Sequence, residues 1–412
     1  MTGPAKVAFV MSRFPCYDEA FLLREVRELS RRLDVWVVSL RESKEPVVHD
    51  DARALLPRTV YLPYLFSAEM LRAHAELLVR RPRRYLRALR HALLPYWSRP
   101  AILLRSLVFF PKSVLVARWA EATGITHLHG GWATYPATAA LVVSELTGIP
   151  WSFSGHAHDL YLYANGLAEK VARAAFVTTC TASNRDFLER LVPEAGPRIV
   201  LAHHGLRLTE FARAEAPESP VSILSVATLN PHKGLDVLVD ALALLAGRGV
   251  DFRATVVGGG PLEAALRRRV AEHGLEGRVT LTGALPQHEV VRHYARSRIF
   301  ALLAQPEWHW GIANVLIEAL AARHGVVTTR FGSVEELVED GKTGLLVPPR
   351  DPAAVSAALE RLVRDPALRQ RLADAGHDRV AREFDVARTT DRYLELIAGA
   401  RSAASSRGPE AA

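Results

Sequence analysis

Short, continuous apolar runs rich in β-branched residues alternate with amphipathic helical stretches along most of the chain, and they do so in two successive series. Runs of this kind suit strands buried on both faces, the sequence imprint of a parallel sheet covered by helices on either side. In the first series Lys6–Met11, Val35–Leu40, Thr126–Leu128, Trp151–Ser154, Phe176–Thr179 and Ile199–Ala202 read as strands. Glu19–Arg31, Pro136–Thr147, Leu167–Arg173 and Ser183–Leu191 read as the helices between them. The second series opens with the strand Ser222–Ala227 and the helix Leu235–Leu245. It continues through Ala254–Val257, Leu262–His273, Val279–Thr282, Ile299–Leu303, Val326–Thr328 and Leu345–Val347. The expected fold is α/β, with two doubly wound sheets. A length of 412 residues agrees, because a single hydrophobic core stops growing well before it. The boundaries read as a first domain over residues 1–208, an Ala-, Glu- and Pro-rich linker over 209–220, a second domain from 221, and a frayed polar tail over 401–412.

Residues 64–118 break the alternation and carry the charge. Between Arg72 and Arg105 lie nine arginines and one acid, Glu76, which equals the net charge of +8 for the whole chain. From Pro82 onward Tyr85, Leu86, Leu89, Ala92 and Leu93 fall on one helical face, and Arg83, Arg84, Arg87, Arg90 and His91 on the other. Two readings stay open: a helix docked on its own domain with a solvated basic face, or one resting on anionic lipid through Arg80, Arg83, Arg84, Arg87 and Arg90. Aromatics for base stacking are too sparse to favour nucleic acid. The apolar stretch Ala101–Ala120 contains Arg105, Pro111, Lys112 and Arg118, so it is not expected to span a bilayer. The first residues lack the features of a signal peptide, and Cys16 and Cys180 read as buried thiols of a reducing compartment. A cytoplasmic protein is expected, peripheral on the inner face of a membrane.

Ligands of doubly wound sheets bind beyond the carboxyl ends of the strands. In the second series the strand Ser222–Ala227 runs into Thr228-Leu-Asn-Pro-His-Lys233-Gly234 at a helix start, an arrangement suited to an anion. Ala254–Val257 runs into Gly258-Gly-Gly260-Pro261, which lets a ligand approach the main chain. In Glu307-Trp-His-Trp310-Gly311-Ile312-Ala313-Asn-Val-Leu-Ile-Glu318, a helix beginning at Gly311 turns its amides to a phosphate. Glu318 then lies two turns, roughly 10 Å, along the same face, where a carboxylate accepts hydrogen bonds from both hydroxyls of a ribose. In the first series Ser154-Gly155-His156-Ala-His158-Asp159 follows a strand. Zinc competes for His156, His158 and Asp159, with His127 and His129 as further ligands, but no third ligand cluster is evident. A neutral imidazole hydrogen-bonding a sugar is the preferred role for His156. Ser12-Arg13-Phe14-Pro15 forms another wall.

These segments, together with Glu19-Ala-Phe21, Arg24-Glu25, Pro136-Ala-Thr138 and Gly341-Lys-Thr-Gly-Leu-Leu-Val-Pro348, resemble family 4 of the retaining glycosyltransferases. Members building bacterial exopolysaccharide and colanic-acid-type polymers are the most similar. The resemblance covers most of the chain. It implies a GT-B fold, in which two Rossmann-like domains face across a cleft, the second ending at 384 and followed by a helix over 385–400 that packs back on the first. It implies a nucleotide-sugar donor and a glycan or polyprenyl-linked acceptor, with no cofactor. By the same resemblance Lys233 binds the donor diphosphate, Glu318 the ribose, and His156 lies beside the transferred sugar. Gly258, Gly260, Glu307, Gly311, Ile312 and Ala313 line the donor, Val279 and Leu285 flank the base, and Arg13, Glu19, His158 and Asp159 face the acceptor. Two positions depart from the family pattern: Thr228 stands where Arg is usual, and Trp310 where an acid is usual. Glu307, His309 or His232 are the candidates to substitute. No Asp-x-Asp pair lies at a strand end to hold a divalent cation, so the transfer is expected to be metal-independent. Two rivals remain, a nucleotide-sugar epimerase of the same fold and a non-catalytic paralogue that binds a transferase partner or membrane.

Overall fold

The computed structural model describes residues 5–16, 19–43, 50–62, 67–162, 166–211, 219–308 and 311–406. The chain divides into two units. Unit 1 comprises Met1–Gly205 with Val386–Ala412, and unit 2 is Leu206–Asp385.

Unit 1 holds strands β1 (Lys6–Met11), β2 (Asp34–Ser39), β3 (Thr59–Tyr61), β4 (His127–Gly130), β5 (Trp151–Gly155), β6 (Val177–Thr179) and β7 (Ile199–Leu201). Its helices are α1 (Ala20–Leu29), α2 (Asp50–Leu55), α3 (Ala68–Arg80), α4 (Pro82–Leu93), α5 (Pro100–Thr123), α6 (Tyr135–Thr147), α7 (Ala157–Tyr161), α8 (Leu167–Arg173) and α9 (Ala182–Leu191). The seven strands run parallel in the order β3-β2-β1-β4-β5-β6-β7. All five residues of β5 are buried, as a central strand with helices on both faces requires. Phe9 and Phe153 are fully buried, each contributing about 2 kcal/mol by removal from water.

Unit 2 holds β8 (Val221–Val226), β9 (Phe252–Val257), β10 (Val279–Leu281), β11 (Ile299–Leu302), β12 (Gly325–Thr329) and β13 (Leu345–Val347). Between and after them come α10 (Leu235–Gly247), α11 (Glu263–Glu272), α12 (Gln287–Ala295), α13 (Asn314–Ala321), α14 (Pro352–Arg364) and α15 (Pro366–Glu383). The parallel order is β10-β9-β8-β11-β12-β13. Helices α14 and α15 start where an aspartate precedes a proline. Asp351 accepts from the Ala354 amide at 2.9 Å and Asp365 from the Leu368 amide at 2.8 Å, and each proline fills a position that needs no amide.

The last helix, α16 (Val386–Ser406), belongs to unit 1. Its Tyr393 is buried and hydrogen-bonds Ser154 Oγ and Thr178 Oγ1, both at 2.9 Å. From Ser154 the buried chain continues through His129 to Ser152 and His127. Burial without full pairing pushes the Glu25 carboxyl up to about 7, partly offset by its hydrogen bond with Tyr393. The helix extends six residues into the stretch expected as a tail. Its buried Tyr393 and Ile397 anchor it, and the stretch beyond, rich in alanine and free of proline, continues the helix through Gly399 to Ser406. The expected linker also begins with structure: Leu208–Phe211 is a 3-10 turn whose Phe211 packs against Tyr294. The rest of that linker, from 212 to 218, and the tail from 407 lie outside the described residues.

The interruption over 64–118 is helical, and α4 packs on α6. Ala88 and Ala92 are buried, with Tyr85, Leu89 and Leu93 partly so. Two residues leave their expected faces. His91 is buried with Nδ1 2.6 Å from Glu169, whereas Leu86 is 58% exposed among the arginines. The carboxylate of Glu169, on the neighbouring α8, draws the imidazole inward. Among the described residues no helix is long and apolar enough to cross a membrane.

Candidate functional site

In unit 2 strand order reverses between β8 and β11, so the loops leaving their carboxyl ends diverge and open a crevice. The loop after β8 makes a single 3-10 turn, Pro231–Lys233, and reaches α10 through Gly234 at φ +65°. Gly234 lies so close to the Leu303 carbonyl that a β-carbon would run into it. Lys233 is half-buried, and desolvation depresses its ammonium from 10.5 to about 8. The loop after β11 is tied to this turn, Gln305 N donating to His232 O at 2.8 Å. The loop after β9 is stitched to the same place. Leu229 N donates to Gly259 O, and Leu262 N to Leu229 O, each at 3.0 Å. Gly258 adopts φ +142° against the Ala227 carbonyl and donates to Gly283 O of the loop after β10 at 2.9 Å. Four strand-end loops thus hold their backbones in one packed edge, next to a lysine.

The helix expected from Gly311 begins three residues later, at Asn314, with Ala313 as its N-cap in an extended conformation. Glycine is a poor helix former, and Ile312 and Ala313 pack instead on the apolar cluster of Phe300, Leu316 and Phe331. Glu318 is therefore the fifth helical residue, about 6 Å along the axis from the first, not two turns in. It is buried, 7% exposed, on a helix whose neighbouring residues are all apolar.

Other expected donor-side residues divide. Leu285 packs on the same cluster as Ile312 and Ala313 and stays at the strand-end edge. Val279 does not reach that edge. It opens β10 opposite Ala254, at the amino end of a parallel strand, and is buried in the core. Glu307 is exposed, with both carboxylate oxygens engaged by Arg350 at 3.0 Å, which holds its carboxyl below the usual range. That pairing, from the loop after β13, takes the group expected to face the donor. Thr228 is exposed and accepts from Asn230 Nδ2 at 3.3 Å. Trp310 and His309 lie outside the described residues.

Unit 1 reverses its strand order between β1 and β4. Arg13 and Glu19, half-buried, lie in the loop after β1 at that reversal. His156 caps α7 and is buried. Its Nε2 is 3.1 Å from Gly131 O, its Nδ1 is 3.1 Å from His204 Nε2, and its ring packs on Trp132 with centroids 4.5 Å apart. Burial lowers its imidazolium to about 4, so the ring is neutral near pH 7. Asp159 is buried, with both carboxylate oxygens engaged by backbone amides. One oxygen accepts from His156 N at 2.8 Å and the other from Ala133 N at 2.7 Å. It closes a capping box and clamps the loop after β4, which Lys170 holds through Ala133 O at 2.7 Å. Burial raises its carboxyl to about 7 against those amides. His158, one position round α7, is exposed. The zinc pattern weighed from spacing is thus not assembled, since His156, His158 and Asp159 diverge while His127 and His129 bond to serines. What the fold does bring to His156 is His204, Cys180, Trp132 and Phe21, of which only Phe21 stood within a family motif. Cys180 directly follows β6 and His204 lies in the segment after β7, so the strand-end rule applied to every strand points to both.

Residues 207–379 match the family of glycosyl transferases group 1. That match falls within the second unit, so it is this part of the chain that is similar to the family. Among group 1 relatives, a Salmonella typhimurium protein assigned to colanic acid biosynthesis as a glycosyltransferase is 33% identical over 194 residues, 46% of this chain and 48% of that one. The alpha-D-kanosaminyltransferase of Streptomyces kanamyceticus is 30% identical over 194 residues, 46% of this chain and 49% of that one. The chain therefore spans about half the length of these curated relatives. In fold, Anabaena HepE in complex with UDP superposes with a TM-score of 0.70 at 15% identity, over 96% of this chain and 99% of that one. Sucrose-phosphate synthase from Thermosynechococcus elongatus gives 0.70 at 18% identity, over 97% and 100%. At such identities the likeness shows the fold, and the glycosyltransferase GT-B fold is the one it shows.

Proposed function

We propose that the chain moves a sugar from a nucleotide-diphosphate donor to a glycan or polyprenyl-linked acceptor, with retention of configuration, in building a bacterial surface polysaccharide. The observation that carries this reading is the packing of the Lys233 turn against the segment leading from β11 to α13, the helix on which Glu318 is buried. Cleaving a glycosyl–phosphate bond delivers negative charge to the departing diphosphate. Lys233 and the amino end of α13 stabilise that charge electrostatically. Glu318 accepts hydrogen bonds from the ribose hydroxyls. The acceptor hydroxyl attacks the anomeric carbon from the leaving-group side, and its proton passes to the departing phosphate oxygen as the glycosyl–oxygen bond breaks. His156, neutral, orients the sugar. The relative assigned to colanic acid synthesis supports a surface-polymer acceptor. A thermal-shift panel of UDP-, GDP-, ADP- and TDP-sugars tests the donor class. One nucleotide should raise the melting temperature by several degrees, because a ligand of the folded state stabilises it. No shift with any of the four at millimolar concentration would remove the basis of the reading.

The acceptor side is proposed to meet an anionic membrane through α3, α4 and the start of α5. Of the 13 large hydrophobic residues exposed among the described residues, eight fall between Leu71 and Leu107. Val79 is 79% exposed and Trp97 74%. On α4 the exposed Arg83, Leu86, Arg87 and Arg90 lead on to exposed Leu94 and Trp97, so cations and apolar side chains share a surface. That mixture suits the boundary between headgroups and acyl chains. Each arginine near such a surface contributes about 1 kcal/mol, so the double variant R83A/R90A should bind phosphatidylglycerol vesicles roughly 30-fold more weakly in co-sedimentation. Salt should weaken binding of the parent chain too. Equal binding to neutral phosphatidylcholine vesicles contradicts the proposal.

A further inference from the structure

Three side chains that the spacing of the sequence keeps far apart meet in unit 1, each delivered by the carboxyl end of a different strand. His156 follows β5, Cys180 follows β6, and His204 lies beyond β7. One ligating atom from each of His156, Cys180 and His204 lies within 4.8 Å of the other two, and His156 Nδ1 is 3.1 Å from His204 Nε2. Tetrahedral zinc, with bonds of about 2.0–2.3 Å, sets its donors roughly 3.3–3.7 Å from each other. The observed separations bracket that range, so side-chain shifts of about an ångström complete the geometry.

The surroundings aim these atoms inward. His156 Nε2 faces the Gly131 carbonyl, which only accepts, so the ring hydrogen sits on Nε2 and Nδ1, 3.1 Å from His204 Nε2, is the unprotonated nitrogen on the side of the cluster. A ligating histidine held by a backbone carbonyl through its other nitrogen is the usual outer support of a metal site. His204 is stacked on Phe21 at 4.1 Å and 13°, which fixes its plane. The buried Asn184 is oriented by Tyr161, whose hydroxyl donates to its oxygen at 2.9 Å, and its amide nitrogen therefore faces Cys180 Sγ at 3.8 Å. A donor beside the sulfur favours the thiolate.

We propose that His156, Cys180 and His204 form a binding site for a thiolate- and imidazole-preferring cation, Zn²⁺, with its fourth position left open. Two nitrogens and one sulfur suit zinc and do not suit magnesium or calcium, which take oxygen ligands. All three ligands belong to unit 1, a zinc-bound His156 has no nitrogen left to orient a sugar, and the metal proposal stands whether or not the chain transfers one.

Cobalt(II) titrated into the tag-free, metal-stripped full chain reads the site directly. The expected result is one equivalent bound, with a thiolate-to-cobalt charge-transfer band in the near ultraviolet and the visible bands of a tetrahedral ion. Zinc should displace it and excess magnesium should not. Cys180→Ser should abolish the charge-transfer band, and His204→Ala should weaken zinc binding by on the order of 100-fold or more, beyond the effect of losing an outer support. Cys16→Ser should leave the band in place. Far-ultraviolet circular dichroism of each metal-free variant checks that it folds, and His204→Ala keeps the test decisive should Cys180→Ser fail to. Absence of the band in the parent chain, or its survival in Cys180→Ser, overturns the proposal.

Discussion

Lys233→Ala is expected to lower turnover by about 100- to 1,000-fold, the range found when one preorganised charge-stabilising group is removed from a transition state. The effect should fall on kcat more than on donor KM, because the diphosphate gains charge as the bond breaks. Desolvation supplies a second signature. With its ammonium depressed from 10.5 to about 8, Lys233 loses its proton as pH rises through that value, and kcat/KM for the donor should decline above it. Unfolding does not mimic this limb. Between about 8 and 10.5 the unfolded chain holds more protons at this residue than the folded one, so its contribution to stability grows with pH. Lys233→Arg keeps a charge that does not titrate there and should move the decline to higher pH. A parent profile that stays flat to pH 10 would show that Lys233 has no part in donor handling.

Glu318→Ala is expected to act on binding. Two charge-assisted hydrogen bonds to a ribose contribute roughly 1.5–3 kcal/mol each, so the affinity for a nucleoside diphosphate should drop by about 100-fold to 10,000-fold in calorimetry. Inorganic pyrophosphate, which has no ribose, should bind almost as before, whereas Lys233→Ala should weaken both ligands. Because a buried carboxylate on an apolar helix is itself costly, the variant should fold at least as stably as the parent. Unchanged nucleoside diphosphate affinity in a folded Glu318→Ala chain would remove the carboxylate from the site.

The strands were legible because burial on both faces leaves continuous apolar runs, and β1 begins and ends where the run Lys6–Met11 does. Strand β3 was not, since three residues at a sheet edge, Thr59–Tyr61, carry no period. The start of α13 was misread because a glycine beside an apolar run looks like a helix opening, while the chain spends Ile312 and Ala313 on packing. The family resemblance places Val279 beside the base, although the strand Val279–Thr282 already begins with it and so sets it at the end away from the ligand loops. Asp159 looked like a group facing a ligand, yet two backbone amides claim it, a demand invisible until the loop after β4 is placed beside α7. The approach of Cys180 and His204 to His156 depends on the lateral order of β5, β6 and β7, which no local spacing encodes.

Tyr393 and its hydrogen bonds have a consequence for how the protein is made. Unit 2 is one uninterrupted stretch of chain, whereas unit 1 needs residues from both ends of the polypeptide. On the ribosome the amino-terminal sheet emerges first, but the phenol that satisfies Ser154 and Thr178 is synthesised more than 200 residues later. The earlier sheet waits for this phenol until the whole of unit 2 has been synthesised, so unit 1 completes its packing after unit 2 has emerged.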